Sequence, residues 1–254
     1  MGTGDRILIQ GFAVSGSGSE TLLIRGAGPS LARFGVTGTL AQPTLTVFDA
    51  SGRVLASNTG WADDSQVAEA AAVVGAFPFP AGSADCALLI HLEPGAYTVE
   101  IAGAAGTTGV ALAELYEVAS NGTRLANIST RAYVGTGSDI LIPGFVISGT
   151  GSERLLVRGD GPALGAFGVP DVLAQTSIAL FSGAQEMARN TGWSTDPDAP
   201  EILAQAAAVG AFALAADSAD SALVTSLAAG PYTLQVTGVD GGEGEALAEV
   251  YEAR

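Results

Sequence analysis

Aspartates that closely follow two tryptophans are the residues of this chain with the clearest potential for chemistry. In chain order they are Asp63 and Asp64 after Trp61, and Asp196 and Asp198 after Trp193. A hard cation such as calcium requires several oxygen ligands within one loop. The segments that follow are rich in alanine and predict short helices, whose N-terminal dipole also favours aspartate. We interpret the four residues first as helix-capping acids and second as a weak calcium site, which makes calcium the one candidate cofactor.

Other catalytic groups are scarce. The chain contains one histidine, His91, and one cysteine, Cys86. Zinc sites need clusters of histidine and cysteine, and a serine–histidine–aspartate triad would depend on His91 alone. No two carboxylates are distinguished by their context as a glycosidase pair. The sequence therefore predicts a buried Cys86, a structural His91 at a strand end, no catalytic residues and no enzymatic activity.

The two tryptophans allow two interpretations. A tryptophan between a strand and a helix can stack on a sugar ring, which makes Trp61 and Trp193 candidate ligand-stacking residues. A large aromatic side chain more often covers the end of a hydrophobic core. The sequence favours the second interpretation and leaves glycan binding open.

A glycine-rich segment, Arg25-Gly-Ala-Gly-Pro29, superficially resembles a phosphate-binding loop. It lacks the Gly-Lys-Ser/Thr ending of a P-loop, and no βαβ pattern surrounds it. The prediction is a tight turn after a strand. Arg25 and its later counterpart Arg158 are expected to pair with acids.

The charge balance excludes whole classes of partner. The formal net charge is −16, and the 10 basic residues are all arginine. A nucleic-acid-binding protein requires a basic face, and an anionic membrane surface would repel this chain. No apolar run reaches the roughly eighteen residues of a membrane-spanning helix. We expect neither nucleic-acid binding nor membrane insertion.

An internal repeat dominates the organisation of the chain. The matching segments include Arg25-Gly-Ala-Gly-Pro29 with Arg158-Gly-Asp-Gly-Pro162, Asn58-Thr-Gly-Trp61 with Asn190-Thr-Gly-Trp193, Ser83-Ala-Asp85 with Ser218-Ala-Asp220, and Ala113-Glu-Leu-Tyr-Glu117 with Ala248-Glu-Val-Tyr-Glu252. The predicted organisation is a first repeat over residues 1–118, a linker over 119–126 and a second repeat over 127–254.

One stretch of the second copy has no match in the first. Residues 125–134 alternate like a strand, whereas only Met1 precedes the corresponding point of the first copy. The first repeat is therefore expected to lack its first strand. The chain is expected to be either a segment cut from an array of repeats or a subunit completed by a neighbour, since an unpaired sheet edge invites pairing with another chain. The residues of the candidate assembly strand are Leu125, Asn127, Ser129, Arg131 and Tyr133.

Short apolar stretches bounded by Gly, Pro, Asn and Ser fill each copy. In the first copy they predict strands at about 6–14, 20–26, 44–50, 53–57, 86–92, 96–103 and 110–117, with helices at 63–74 and 199–209. This spacing is typical of a β-sandwich. The predicted fold is all-β, with two tandem β-sandwich domains of Ig-like or jelly-roll-like type, each carrying one short helix.

Two segments resemble the bacterial pre-peptidase C-terminal domain, a secreted β-sandwich that is appended to exported hydrolases. They are LTVFDASGRVLASN at 45–58 and PGAYTVE at 94–100. The whole unit, with its Gly-Thr-Gly, Gly-Phe-x-x-Ser-Gly and Arg-Gly-x-Gly-Pro motifs, looks like the tandem repeats of long secreted bacterial surface proteins. The resemblance implies a β-sandwich architecture and an extracellular or cell-surface location, and it carries over no site residue.

The repeat and the resemblance together predict an extracellular structural protein. Its units are expected to stack head to tail and to polymerise into a filament through edge-strand pairing, so that the partners are other copies of the chain. The alternative is a carbohydrate- or cell-surface-binding accessory module of a larger secreted protein, which would use Trp61 and Trp193.

Overall fold

The computed structural model describes residues 1–253, apart from the side chain of Asp5. Most of the regular structure is β-strand, which confirms the all-β prediction. The chain divides into two compact units, of which the first is Met1–Ala126 and the second begins at Asn127.

The first unit contains strands β1 to β7 and helix α1. Their bounds are β1 Leu8–Gly16, β2 Glu20–Ala27, β3 Pro43–Asp49, β4 Val54–Asn58, α1 Ser65–Val73, β5 Cys86–Leu92, β6 Gly95–Gly103 and β7 Leu112–Ser120. Every strand predicted for the first repeat is present, with bounds that differ by a few residues. The alternation of apolar and polar residues was therefore sufficient to locate the strands of the first repeat.

These strands form two antiparallel sheets, with the orders β1-β6-β3-β4 and β5-β2-β7. The central strand β2 is buried along almost its whole length. At Gly26, an added Cβ would lie 2.7 Å from Cys86 Sγ and 3.0 Å from Ile101 Cδ1. Strand β2 thus packs closely against β6 of the other sheet, and glycine is what allows that approach.

The second unit contains β8, which begins just before it, strands β9 to β13 and helix α2. Their bounds are β8 Thr123–Val134, β9 Gly144–Asp160, β10 Thr176–Ser182, β11 Gln185–Asn190, α2 Ala199–Val209, β12 Ser221–Gly238 and β13 Gly244–Glu252. Neighbouring strands follow the order β11-β10-β12-β9-β13-β8.

Two long strands organise the second unit. Residues 144–147 of β9 pair with residues 230–233 of β12, and residues 152–159 pair with 221–228, with an irregularity between the two stretches. Strand β10 joins the later part of β12, whereas β13 joins the later part of β9. In the first unit, the separate strands β1 and β2 pair with β6 and β5 in the same way.

Each unit contains one phenylalanine ring stacked on one tyrosine ring, and these two pairs show that the units share the register of their strand pairing. Phe12 lies opposite Tyr97 with ring centroids 5.4 Å apart, and Phe145 lies opposite Tyr232 at 5.6 Å. Each tyrosine hydroxyl donates to the carbonyl four residues earlier, Glu93 O at 2.7 Å and Ala228 O at 2.9 Å. The sequence repeat therefore corresponds to a repeated strand-pairing scheme.

The two helices lie where the alanine-rich segments predicted them. Helix α1 begins after Asp64 and buries Val67, Ala70 and Ala71. Helix α2 has a proline in its first turn and ends at Gly210, which has a φ of 75° and caps the last turn. No helix within residues 1–253 is long and apolar enough to cross a membrane.

The residues of the predicted linker, 119–126, lie in two strands and the turn between them. Strand β7 continues to Ser120 and β8 begins at Thr123, so only a two-residue turn separates them. Gly122 in that turn has a φ of 73°, and its carbonyl accepts a hydrogen bond from Ser17 N at 3.2 Å. Asn121 and Gly122 form the turn, and the flanking residues are strand.

Candidate functional site

Strand β8 covers the outer edge of β13. The two strands pair antiparallel from Gly244 opposite Val134 to Tyr251 opposite Asn127. The predicted assembly strand is therefore a strand, and its residues 127–134 pair with β13. Strand β13 lies between β9 on one side and β8 on the other.

Alternate side chains of β8 close the core of the second unit. Val134 is fully buried, and Ile128 and Ala132 pack against the same core cluster, which includes Ala246 and Ala248 of β13. These are not the residues that the sequence singled out. The alternation of apolar and polar residues along β8 could have identified them, if the inward-facing positions had been assigned one residue later.

The five predicted residues lie on the other parity of β8 and make polar contacts. Asn127 Nδ2 donates to Val250 O at 3.2 Å, Arg131 Nε lies 3.8 Å from Glu245 Oε2, and Tyr133 OH lies 3.3 Å from Glu243 Oε2. Leu125 N donates to Glu117 Oε1 at 2.8 Å, and Ser129 lies opposite Glu249. On this face, Asn127 and Arg131 make polar contacts with β13, whereas the opposite face supplies the apolar contact.

Strand β7 is the counterpart of β13 in the first unit, and among the described residues it pairs with β2 alone. The exposure of matched positions reflects this difference. Val110 is 42% exposed and Leu112 is 38% exposed, whereas Glu245, which matches Val110, is 2% exposed. Ala113 is half-buried, whereas its counterpart Ala248 is buried at 2% exposure. Strand β7 is therefore a sheet edge without the cover that β13 has.

The orientation of the β7 backbone follows from its partners. Val110 N donates to Gly38 O at 2.8 Å, and Val110 O accepts from Leu40 N at 2.8 Å, on the side that faces the rest of the unit. In an antiparallel ladder, successive residues point their N–H and C=O groups to opposite edges. Residues 111, 113 and 115 therefore direct these groups to the uncovered edge, with the N–H of Ala113 at its centre.

The start of a ladder at this edge is already present. Gly109 N donates to Met1 O at 3.3 Å. In the repeat, Gly109 matches Gly244 and Met1 matches Val134, and Gly244 lies opposite Val134 in the β13–β8 pair. Met1 thus occupies the position of the last β8 residue, and the β7 edge continues the same register.

A buried arginine holds β7 to the rest of the first unit. Arg25 is 1% exposed, its Nε lies 3.3 Å from Glu114 Oε2, and its guanidinium lies over the rings of Phe77 at 4.5 Å and Phe79 at 4.0 Å. Burial raises the pKa of the Glu114 carboxyl, and the charge of Arg25 opposes that rise. The predicted pairing of Arg25 with an acid is confirmed, and it makes β7 a firmly anchored edge.

The matching arginine in the second unit has two acidic partners. Arg158 lies 3.1 Å from Asp160 and 3.3 Å from Glu249, over the ring of Phe212 at 4.1 Å. Asp160 is completely buried, which raises its pKa well above the ordinary value although Arg158 opposes the rise. The cluster therefore contains one more carboxyl group than its cation can neutralise, and burial disfavours the charged form of Asp160.

The glycine-rich turns bind carboxylates of the protein itself. Gly28 N donates to Asp85 Oδ1 at 2.8 Å and Ser30 N donates to the same oxygen at 3.2 Å. Asp220 accepts from Gly161 N at 2.7 Å in the second unit. These amides are therefore occupied, which confirms a structural turn in place of a phosphate loop. The sequence analysis gave no role to Asp85 and Asp220, although both lie in the repeated Ser-Ala-Asp motif.

Three of the four candidate calcium ligands, Asp63, Asp64 and Asp196, accept hydrogen bonds from backbone or side-chain donors, whereas Asp198 makes no side-chain cap hydrogen bond to α2. Asp64 Oδ1 caps α1 by accepting from Gln66 N at 2.8 Å, which confirms that predicted role, and Asp63 Oδ1 accepts from Gly82 N at 2.8 Å. Asp196 accepts from Asn190 Nδ2 at 2.8 Å and from the backbone of Asp198 at 2.9 Å. Within residues 1–253, no group of three or more His, Cys, Asp or Glu side chains is placed to hold a metal ion.

The structure contradicts the ligand-stacking role of the tryptophans. Trp61 is 9% exposed and packs under α1, with its ring 6.1 Å from that of Phe79. Trp193 is 3% exposed, and its Nε1 donates to Ser218 Oγ at 3.0 Å. A sugar needs an exposed ring face, and both indoles are part of the core below a helix.

The remaining reactive side chains have structural surroundings. His91 lies on β5, where its Nδ1 is 2.9 Å from Thr21 Oγ1. Cys86 is fully buried, and burial raises the pKa of its thiol to about 12. A small pocket of about 200 Å³ is lined by Arg154, Asp198, Glu201, Val224, Thr225 and Ser226. Arg154 and Glu201 form an exposed ion pair at 2.7 Å in it, which is a weak arrangement for acid–base chemistry.

Comparisons with known proteins give little. No protein-family model matches the chain, and no curated protein is similar to it. Among solved structures, a chain described as "PBCV-1 virus capsid, quasi-atomic model" aligns over 98% of this chain and 87% of its own length, at 8% identity and a TM-score of 0.20. A TM-score of that size supports no statement about fold or function.

Proposed function

We propose that this protein is an extracellular structural protein of the bacterial surface, built from two tandem β-sandwich domains, and that it assembles with other copies through the edge of β7. The observation that carries the proposal is the contrast between the uncovered β7 and its counterpart β13, which β8 covers. Exposed sheet edges pair readily with other strands. Folded proteins usually protect such an edge with charges, bulges or a covering segment.

The composition of the edge supports assembly. Two of its exposed positions, Val110 and Leu112, are apolar, and no proline occurs in β7, although an exposed acid, Glu117, lies further along the strand. Residues 111, 113 and 115 offer backbone donors and acceptors in the spacing of a strand. An incoming strand would therefore gain hydrogen bonds and bury apolar surface at the same time.

The extracellular location rests on the resemblance of the repeat to those of secreted surface proteins. A repeated building unit must stay soluble until it assembles. An acidic surface suits that requirement, as do arginine and acid pairs that are clustered in the core. The units would then add head to tail, since a heterologous contact that does not close produces a filament.

Electron microscopy of the purified chain over a series of concentrations tests this function. Wild-type protein is expected to form filaments with an axial repeat of one or two domain lengths. Leu112→Lys places a charge on the edge and should prevent them, whereas Val73→Lys adds the same charge on the exposed face of α1, at a residue 75% exposed, and should not. Dispersed particles of wild-type protein at all concentrations would contradict the proposal.

A further inference from the structure

Strand β5 lies at the end of the three-stranded sheet opposite to β7. Among the described residues, β5 pairs with β2 alone. The second unit has the same arrangement, because residues 221–228 of β12 pair with β9 alone. An open edge at this place is therefore a feature of both copies of the repeat.

The repeated Asn-Thr-Gly-Trp motif covers the first part of this edge. Asn58 Oδ1 accepts a hydrogen bond from Ala87 N at 3.2 Å, and Trp61 N donates to Asp85 O at 2.9 Å. The motif makes the same two contacts in the second unit. The start of the edge is thus occupied by groups of its own unit.

Beyond the motif, two residues of β5 direct their backbone groups to the open edge. Successive residues of an antiparallel strand point their N–H and C=O groups to opposite sides, and Ala87 N points to the edge. Leu89 and His91 therefore point there as well, and no strand of the described chain lies on that side of them. Leu88, Leu89 and Ile90 are half-buried, and His91 is exposed. The free part of the edge thus offers two donors, two acceptors and apolar side chains.

We infer that this edge pairs with the same edge of a second copy, as an antiparallel contact between two β5 strands about a twofold axis at Ile90. A strand edge that carries its own complement forms such an isologous contact, which closes as a dimer. Leu89 of each copy then forms a hydrogen-bonded pair with His91 of the other. The partner strand is open in every copy, so it does not have to leave a pairing within its own chain.

The neighbouring registers use the edge less well. An axis at Leu89 would require Ala87 N, which Asn58 already occupies. An axis at His91 would require residue 93, which lies beyond the end of β5. The axis at Ile90 uses all the free groups of Leu89 and His91, and it uses no others.

The second unit carries a polar and charged version of the same edge. Thr225 stands where the first unit has Ile90, and the ion pair of Arg154 with Glu201 lines the pocket beside it. Charged side chains are a common protection of sheet edges. Residues 86–92 contain no acid, which suits a contact between two copies that each have a net charge of −16. Each chain therefore supplies one such contact, from its first unit.

Disulfide trapping of the full-length chain tests the register. The two Ile90 positions form the closely spaced, non-hydrogen-bonded pair on the axis, which suits a disulfide between the copies. Under mild oxidation, Ile90→Cys should form linked dimers at least about tenfold faster than His91→Cys does. Random collision would favour the opposite order, because His91 is the more exposed position. The native Cys86 does not interfere, since it is fully buried and the pKa of its thiol is raised to about 12.

A proline on the edge provides the control for this trapping. In the Ile90→Cys chain, His91→Pro removes a backbone donor of the contact and should lower the rate to that of His91→Cys alone. Non-reducing gel electrophoresis measures the rates. Equal rates for Ile90→Cys and His91→Cys, or no effect of the proline, would overturn the inference.

Sedimentation equilibrium tests the contact without a cross-link and apart from the β7 edge. The Leu112→Lys chain should still form dimers, because β5 lies at the other end of the sheet. A further Ile90→Lys places a charge on the axis and should produce monomers, whereas Thr225→Lys at the matching site of the second unit should not. Dimers of the Leu112→Lys chain support this inference even if wild-type protein forms no filaments. Monomers at every concentration overturn it even if wild-type filaments form.

Discussion

Each unit buries one arginine against an acid and an aromatic ring, but the two clusters differ in the second ring of the first unit, Phe79, where the second unit has Leu214, and in one additional carboxyl group of the second unit. Asp160 lies beside Arg158, whereas Ala27 occupies the matching place beside Arg25. Both residues are fully buried. The first unit therefore shows that the fold does not need the additional carboxyl group, and the second unit bears the cost of burying it.

Asp160→Ala should make the second unit less sensitive to pH. Burial raises the pKa of Asp160 above its value in the unfolded chain, so the folded state binds an additional proton, and stability falls as the pH rises from about 4 through that raised pKa. The advantage of Asp160→Ala over wild type should therefore grow with pH. Thermal unfolding between about pH 4 and pH 8 measures the difference.

The reciprocal substitution Ala27→Asp serves as its control. It places a carboxyl group beside Arg25 and Glu114, and its destabilising effect should increase over the same pH range. A difference between either variant and wild type that stays constant with pH would show that burial of this carboxyl is not the cause.

At the level of elements, the sequence predicted what depends on local pattern. Alternation located the strands of the first repeat, and alanine-rich segments after aspartate located both helices. Each of these features is determined by residues close together in the chain.

The features that the sequence did not reveal depend on distant partners. The burial of Trp61 depends on where α1 packs, and the joining of strands in β9 and β12 depends on tertiary bending. The parity of β8 that meets the core could not be decided, because both parities contain apolar residues: Leu125 on one and Ile128 on the other. The uncovered edge of β7 was anticipated from the repeat alone, but its register required the structure.

The N-caps of the two helices give an element-scale prediction. Asp64 caps α1 through its carboxylate, whereas Asp198 precedes α2 without a side-chain cap hydrogen bond. Asp64→Ala is expected to lower the free energy of unfolding by about 0.5–2 kcal/mol, and Asp198→Ala should change it by less than about 0.5 kcal/mol. Urea unfolding measures both. Equal losses would show that charge near the helix start, and not the hydrogen bond, is what matters.

The whole molecule carries a formal net charge of −16. Copies that meet edge to strand must therefore approach against mutual repulsion, which depends on ionic strength. The attraction at the β7 edge itself is made of hydrogen bonds and apolar contacts, which salt weakens little. The net charge thus determines the ionic strength at which assembly occurs, whereas the β7 edge determines which surface is used.

Filaments should accordingly form at lower protein concentration in salt. Raising ionic strength from about 0.01 M to 0.15 M shortens the Debye length from about 30 Å to about 8 Å. Light scattering against protein concentration should show an earlier onset at the higher ionic strength for wild type and for Val73→Lys, and none for Leu112→Lys. An onset that is delayed by salt would indicate that opposite charges, and not the strand edge, drive association.

The shared register of the two units also affects how the chain folds. Strand β1 must pair with β6 far along the chain, as in Leu8 opposite Ile101, and such non-local pairing is slow. Because Phe12 and Phe145 meet their tyrosines in the same register, β1 can align with the later part of β12 in the register that it has on β6. A chain released all at once from denaturant therefore has a mispaired trap available, in which a strand of one copy completes the other. Synthesis from the N-terminus avoids it, because β6 leaves the ribosome long before β12 does.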